Sequence, residues 1–356
     1  MSDKYNKIFE EFKNNYKREI LQIGKPLGRG AFGEVRDITY KNNKVMAGKL
    51  IEKDEDEQSQ EEKFIFDLRG NNLIRMNKIY IMNINDRYYD LIIMEKAILR
   101  DLGKLNDYFH RHNLLKLIYE EPFDEKSGDN LLRFYAKQII NGLETLDRND
   151  FVHFDIKPEN LLVTVNLIIK LSDFGILRKV NSQIKSETIT LPGGTQGYMT
   201  PEYYINKYVT SEDAKKQDYF ALGACLFIFK HGTQLLKFKK YDEPKMNYDR
   251  IISLLEKKIA YIKSQIFTDK NFMNFLINLI MYTPNERPSF EQIYRNKWLN
   301  ENNKELDHTI MAYENDEDKL IMELQKQDFL IKKEKIIQKK YKLNQYKFRF
   351  RKKIDF

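Results

Sequence analysis

A glycine-rich turn set between two strand-like runs constrains this chain more than any other feature. Residues 28–35 read Gly28-Arg29-Gly30-Ala31-Phe32-Gly33-Glu34-Val35, with LQIGKPLG leading in and GEVRDITY leading out. Glycines let the backbone fold tightly over an anion and present N–H groups without a side chain in the way. A G-x-G-x-x-G turn by itself says little, because the same spacing serves dinucleotide binding; that use requires the turn to open a helix. Here a strand-like run follows, so an antiparallel hairpin is expected, joined by a third strand from KVMAGKLI after the Asn42-Asn43 turn.

A second cluster lies more than a hundred residues downstream. FVHFDIKPEN, residues 151–160, places a carboxylate (Asp155), a cation (Lys157) and an amide (Asn160) within six positions. Asp173-Phe174-Gly175 follows the strand-like IIKLS. Any one such Asp is more often a turn or cap residue than a base. The ordered set is another matter: Gly28, Gly30 and Gly33, then Lys49 in Met46-Ala47-Gly48-Lys49, then Asp155, Lys157, Asn160 and Asp173. With that spacing and those strand contexts, residues 20–299 resemble the eukaryotic protein kinases of the serine/threonine type. The calmodulin-dependent and cyclic-AMP-dependent kinases are the nearer likeness.

The resemblance implies an α+β, bilobal fold: a small lobe (20–97) built on a five-stranded antiparallel sheet, and a helical large lobe (98–299). It implies ATP and Mg2+ as cofactors and protein substrates. Gly28, Arg29, Gly30, Gly33 and Val35 would form the lid over the phosphates. Ala47 and Met94 would line the adenine pocket, and the backbones of Glu95 and Ala97 would bond the base. Asp101 would reach the ribose or a basic substrate side chain. Lys49 would grip the phosphates, paired with Glu61 on a helix after the acidic run DEDEQSQEE, with Glu62 as the rival. Asp155 would orient and deprotonate the substrate hydroxyl, Lys157 would steady the moving phosphoryl group, and Asn160 and Asp173 would hold the metal. These types suit the chemistry, which requires neutralising triphosphate charge and aligning an alcohol. His153 is expected to pack beneath Phe174 and Asp218 to anchor the catalytic loop.

Residues 173–202 resemble the family's activation segment, carrying Ser182, Ser186, Thr188, Thr190 and Thr195 and ending in Thr200-Pro201-Glu202. Glu202 is expected to pair with Arg287. Lys157 and Thr195 favour Ser and Thr over Tyr as targets. Thr200 stands where the family has Ala, and two further positions depart from the family pattern, Gly48 and Phe154. The family usually has Arg at the latter, which contacts a phosphorylated activation segment; Phe cannot make that pair. We therefore expect a kinase not strongly dependent on activation-segment phosphorylation. The alternative is a pseudokinase scaffold that binds ATP without efficient transfer. Glu159 and Asp101 suggest a mild preference for basic substrates, although a third acidic position of the family is Ile228 here.

Outside this region, residues 1–19 read as a polar helical lead-in, with Ile8, Phe9, Phe12 and Tyr16 at helical spacing, able to dock or to fray. The net charge of +8 belongs to residues 326–356, the basic end of the tail 300–356, where twelve Lys and Arg face Asp328, Glu334 and Asp355. Leu330, Ile337 and Leu343 among those lysines suit a calmodulin-type target helix or an autoinhibitory segment. A solvated basic helix suits them equally, and an acidic membrane, tubulin-like or nucleic-acid surface is a further option. The single cysteine, Cys225 in ALGACLFIF, excludes an internal disulfide and reads as core. With no apolar run near the ~18 residues of a membrane span and no signal-like start, a soluble cytoplasmic or nuclear protein is expected.

Overall fold

Alternation of side chains along three consecutive runs produces the first sheet. β1 (Ile20–Gly30), β2 (Gly33–Tyr40) and β3 (Val45–Lys53) are antiparallel neighbours, with Gly30 opposite Gly33 at the tip of the first hairpin. β4 (Met76–Ile84) and β5 (Arg87–Met94) add to the far side, giving the order β1-β2-β3-β5-β4. The two-residue Asn85-Asp86 turn joins them with both residues at positive φ, as a type I′ hairpin requires. The computed structural model describes residues 2–30, 33–54, 63–64, 68–112, 125–164, 167–184, 186–206, 208–238, 248–265 and 269–301. Glu61, Glu62 and the tail beyond 301 lie outside the described residues.

The sheet has two apolar faces, and period two assigns each residue to one of them. Ala47, Ile92 and Met94 point inward to the main core, whereas Met46, Leu50, Leu91 and Ile93 point outward. The outward face is covered by α1 (Ser2–Asn15), which buries Ile8, Phe9 and Phe12 against it. The lead-in therefore docks. Gly48 sits on this face, where an added Cβ would lie 2.5 Å from Ile38 Cγ1 and 3.0 Å from Leu91 Cδ1. Its departure from the family pattern thus has a packing cause.

The large lobe is helical. α2 (Leu102–His112) leads to α3 (Glu125–Arg148), whose Leu131, Tyr135, Ile139, Leu143 and Leu146 are buried. α4 (Ser211–His231) begins polar but is buried on every side from Gln217 to Phe227, where it runs through the centre of the lobe. Thr210 caps its N-terminus by accepting from Asp213 N, and Gly232 closes its C-terminus in the left-handed region. Cys225 is fully buried there, and burial pushes its thiol pKa well up. α5 (Tyr248–Lys263), α6 (Lys270–Leu279), α7 (Phe290–Tyr294) and α8 (Lys297–Asn300) complete the lobe, with Trp298 buried against Phe272 and Phe275. No helix among the described residues is long and apolar enough to cross a membrane.

Four short strands within residues 151–179 frame the site. β6 (Phe151–Val152) pairs with β9 (Arg178–Lys179), and β7 (Leu161–Val163) pairs with β8 (Ile169–Leu171). FVHFDIKPEN thus leaves one ribbon and enters the other, and Asp173 follows the end of β8.

Candidate active site

Lys49 lies on the inward face of β3 and donates to Asp173 Oδ1 at 2.7 Å, joining residues 124 positions apart. Asp173 has a positive φ of 65° just after β8. Burial alone would raise its pKa, but the Lys49 charge and hydrogen bond outweigh that and hold it below the usual carboxylate range. The carboxylate is therefore ionised and aimed between the lobes.

Asp155 is buried and surrounded by donors. Lys157 Nζ reaches its Oδ2 at 2.7 Å, the Thr195 hydroxyl its Oδ1 at 2.6 Å, and Asn160 Nδ2 both its backbone carbonyl at 2.8 Å and its Oδ2 at 3.0 Å. Lys157 also donates to Thr195 Oγ1 at 2.7 Å, closing a ring. Asn160 directs its amide nitrogen at Asp155. Its Oδ1 and the Asp173 carboxylate are oxygens of the kind Mg2+ takes, alongside phosphates, so the donor set fits that metal.

Two buried groups hold this loop in shape. Asp218, on α4, accepts from His153 N at 2.7 Å and Phe154 N at 2.9 Å. Its burial pushes its pKa up to about 7, against the pull of those two donors. His153 accepts from Asp155 N at Nδ1, so its Nε2 carries the proton and donates to Ser172 O at 3.0 Å. Burial lowers its pKa, and its ring lies 5.4 Å from Phe174, as the sequence led us to expect.

The lid and the pocket come together at the sheet. Gly33 has φ +138°, and a Cβ there would fall 1.9 Å from Leu50 O, so only glycine fits. Cβ atoms at Gly28 and Gly30 would meet nothing within 4 Å. Ala47 pairs with Met94, and both are buried in the main core. Glu95 donates its N–H to Arg75 O at 2.9 Å, so a bond from its backbone to adenine would run through its carbonyl.

The protein kinase domain model matches residues 21–299. The chain belongs to the protein kinase family. Aurora kinase of Schizosaccharomyces pombe is 28% identical over 288 residues, covering 79% of this chain and 71% of the relative. Rho-associated protein kinase let-502 of Caenorhabditis briggsae is 29% identical over 206 residues, 57% of this chain, and the human serine/threonine-protein kinase MRCK alpha is 29% identical over 223 residues, 60% of this chain. This chain spans only 16% and 12% of the length of those two larger proteins.

Several side chains of this chain make contacts that its sequence did not announce. Asp101 is committed to α2: its Oδ1 accepts from Lys104 N at 2.9 Å and its Oδ2 pairs with Lys104 Nζ at 2.6 Å. Arg29 turns its side chain onto Glu34, with Nε donating to Glu34 Oε2 at 2.9 Å. Glu95 pairs with Lys170 of β8 at 3.0 Å and accepts from Arg75 N, while Lys96 pairs with Asp37 of β2 at 2.9 Å, tying the link between the lobes to both of them. Ser172 bonds the Asn160 carbonyl through both N–H and hydroxyl at 2.9 Å, which fixes β8 to the catalytic loop. These pairs are remote in sequence and carry no local pattern. The Glu202–Arg287 pair was expected and is formed, with Arg287 buried.

Phe154 is buried at a positive φ of 66°. Its ring joins Val152, Ile176, Val180 and Ala214, with Ile189, Leu191, Tyr203 and Val209 packed around them. Ile189 belongs to β10 (Thr188–Thr190), which pairs with β11 (Tyr208–Thr210) just ahead of α4. The catalytic loop and activation segment thus share one apolar cluster.

Proposed function

We propose that this chain is a serine/threonine protein kinase, transferring the γ-phosphoryl group of ATP to Ser and Thr hydroxyls of proteins. The observation that carries this reading is Asp155, already accepting from an alcohol hydroxyl, that of Thr195, at 2.6 Å while Lys157 bridges both groups. A substrate Ser or Thr hydroxyl is the same donor. Asp155 would orient it and take its proton, and Lys157 would offset charge on the phosphoryl group in flight. Lys49 would meet the phosphates under the glycine lid. Asn160 and Asp173 would hold Mg2+, which supplies charge neutralisation on the triphosphate. The test is phosphoryl transfer from Mg-ATP to a mixed Ser, Thr and Tyr peptide library. Asp155→Asn should abolish transfer while ATP binding persists; transfer by that variant, or ATP binding with no transfer by the wild type, rejects the proposal.

The Phe154 cluster supports control that does not run through activation-segment phosphorylation. An apolar contact needs no added charge to hold Ile189 and Leu191 in place. Glu159 is exposed beside the catalytic loop, which supports a mild preference for basic residues near the target. Addition of calcium-calmodulin to the full chain and to one ending at residue 301 would test the proposed target helix in the tail.

A further inference from the structure

The family match begins at residue 21, so α1 is an addition to the shared domain. It does more than cover the sheet. Arg29 stands between the first two glycines of the lid, and its guanidinium lies over the Tyr5 ring of α1 at 4.8 Å. Arg29 Nε donates to Glu34 Oε2 at 2.9 Å; the two residues are cross-strand partners at the neck of the hairpin. Glu34 is only 1% exposed, and its other oxygen accepts from Arg36 Nε at 2.6 Å. Arg36 in turn donates to Asn6 Oδ1 of α1 at 2.6 Å and lies over the Phe9 ring at 4.6 Å. An unbroken run of contacts thus joins both strands of the lid to one turn of α1, on the face opposite Val35, which packs toward the main core.

We propose that Tyr5 and Asn6 are positioning residues for the nucleotide lid, acting through Arg29, Glu34 and Arg36, and that α1 thereby sets the affinity for Mg-ATP. This rests on the reading of the chain as an ATP-dependent kinase. A buried carboxylate between two arginines holds the hairpin neck rigid only while both guanidinium groups stay in place. α1 restrains one through an aromatic face and the other through an amide and a second ring. Without them the lid keeps its glycines but loses its fixed height over the phosphates.

The experiment compares the full chain with Tyr5→Ala/Asn6→Ala, which leaves the apolar face Ile8, Phe9 and Phe12 intact. Mg-ATP binding is read by calorimetry, and KM for ATP and kcat by peptide phosphorylation well below the melting temperature. The double variant should weaken binding and raise KM by about tenfold, the scale of one cation–π contact and one hydrogen bond, with a smaller change in kcat. Tyr5→Phe should keep wild-type values, and Tyr5→Ala should have little effect in an Arg29→Ala background, because its link is already cut. Binding and KM within twofold of wild type for the double variant overturn the inference, as does full additivity of Tyr5→Ala with Arg29→Ala. Should the double variant fail to fold, Arg29→Ala alone must raise KM. Absence of ATP binding by the wild-type chain would instead sink the kinase reading, so the two failures are distinguishable.

Discussion

Asp218 holds Phe154 by its backbone, accepting its N–H at 2.9 Å from the middle of the large lobe. The ring that would otherwise be free to turn is thereby aimed into the activation segment. Each half of the arrangement depends on the other, since a positive φ at Phe costs about 1–3 kcal/mol unless the surroundings enforce it.

Replacing Asp218 by Ala strands two buried N–H groups. The cost should be about 1–3 kcal/mol for each, and the displaced loop should lower kcat by about a hundredfold. Urea denaturation and steady-state kinetics measure the two effects; a stable variant with wild-type kcat contradicts the anchoring role.

Phe154→Ala opens the cluster shared with Ile189, Leu191 and Val209. A loss of about 3–5 kcal/mol is expected for an aromatic ring removed from a core, together with faster proteolysis within residues 182–191. In contrast, Ser182, Ser186, Thr188 and Thr190 replaced together by Ala should leave most of the activity. Near-total loss in that quadruple variant would falsify independence from activation-segment phosphorylation.

Glu202 and Arg287 form a buried ion pair. Glu202→Ala leaves an uncompensated guanidinium over Phe220 and should destabilise the large lobe by about 3–5 kcal/mol. Replacing both by apolar residues of similar volume should recover most of that stability. If thermal melts show the single variant no worse than the double, the pair is not what holds Arg287.

His231 supplies a pH dependence of definite sign. Its ring packs 4.5 Å from Phe227 and 5.6 Å from Tyr261, and burial, then Lys230 and Lys258, push its pKa down to about 4. The folded value lies below the unfolded one of about 6.5, so the unfolded chain binds the proton more tightly. The neutral ring's contribution is complete above pH 6.5 and is lost as pH falls through 4. His231→Phe should therefore flatten the decline in urea midpoint between about pH 7 and pH 4; parallel declines would exclude the assignment.

The parts of the site legible in the sequence were those where chemistry fixes a residue type at a fixed spacing. Lys49, Asp155, Lys157, Asn160 and Asp173 stand in that group, and three of them fall within six residues of one another. The docking of α1 was not legible, because Ile8, Phe9, Phe12 and Tyr16 have the same spacing whether or not a surface awaits them. What decides it is the second apolar face of the sheet, spread over β2, β3, β4 and β5. The bond from Lys104 N to Asp101 was equally illegible: a carboxylate before a helix is as ready to cap it as to meet a ligand. The reason for Gly48 was not legible either, because Ile38 and Leu91, which crowd its Cβ position, come from other strands.

The face that α1 covers also bears on solubility. Met46, Leu50, Tyr89, Leu91 and Ile93 are almost completely screened from water. A polypeptide trimmed to the family boundary at residue 21 would lay them bare as one contiguous greasy surface on an otherwise charged lobe, the kind of patch that drives self-association. The segment ahead of the shared domain is, in this sense, a built-in guard against clumping.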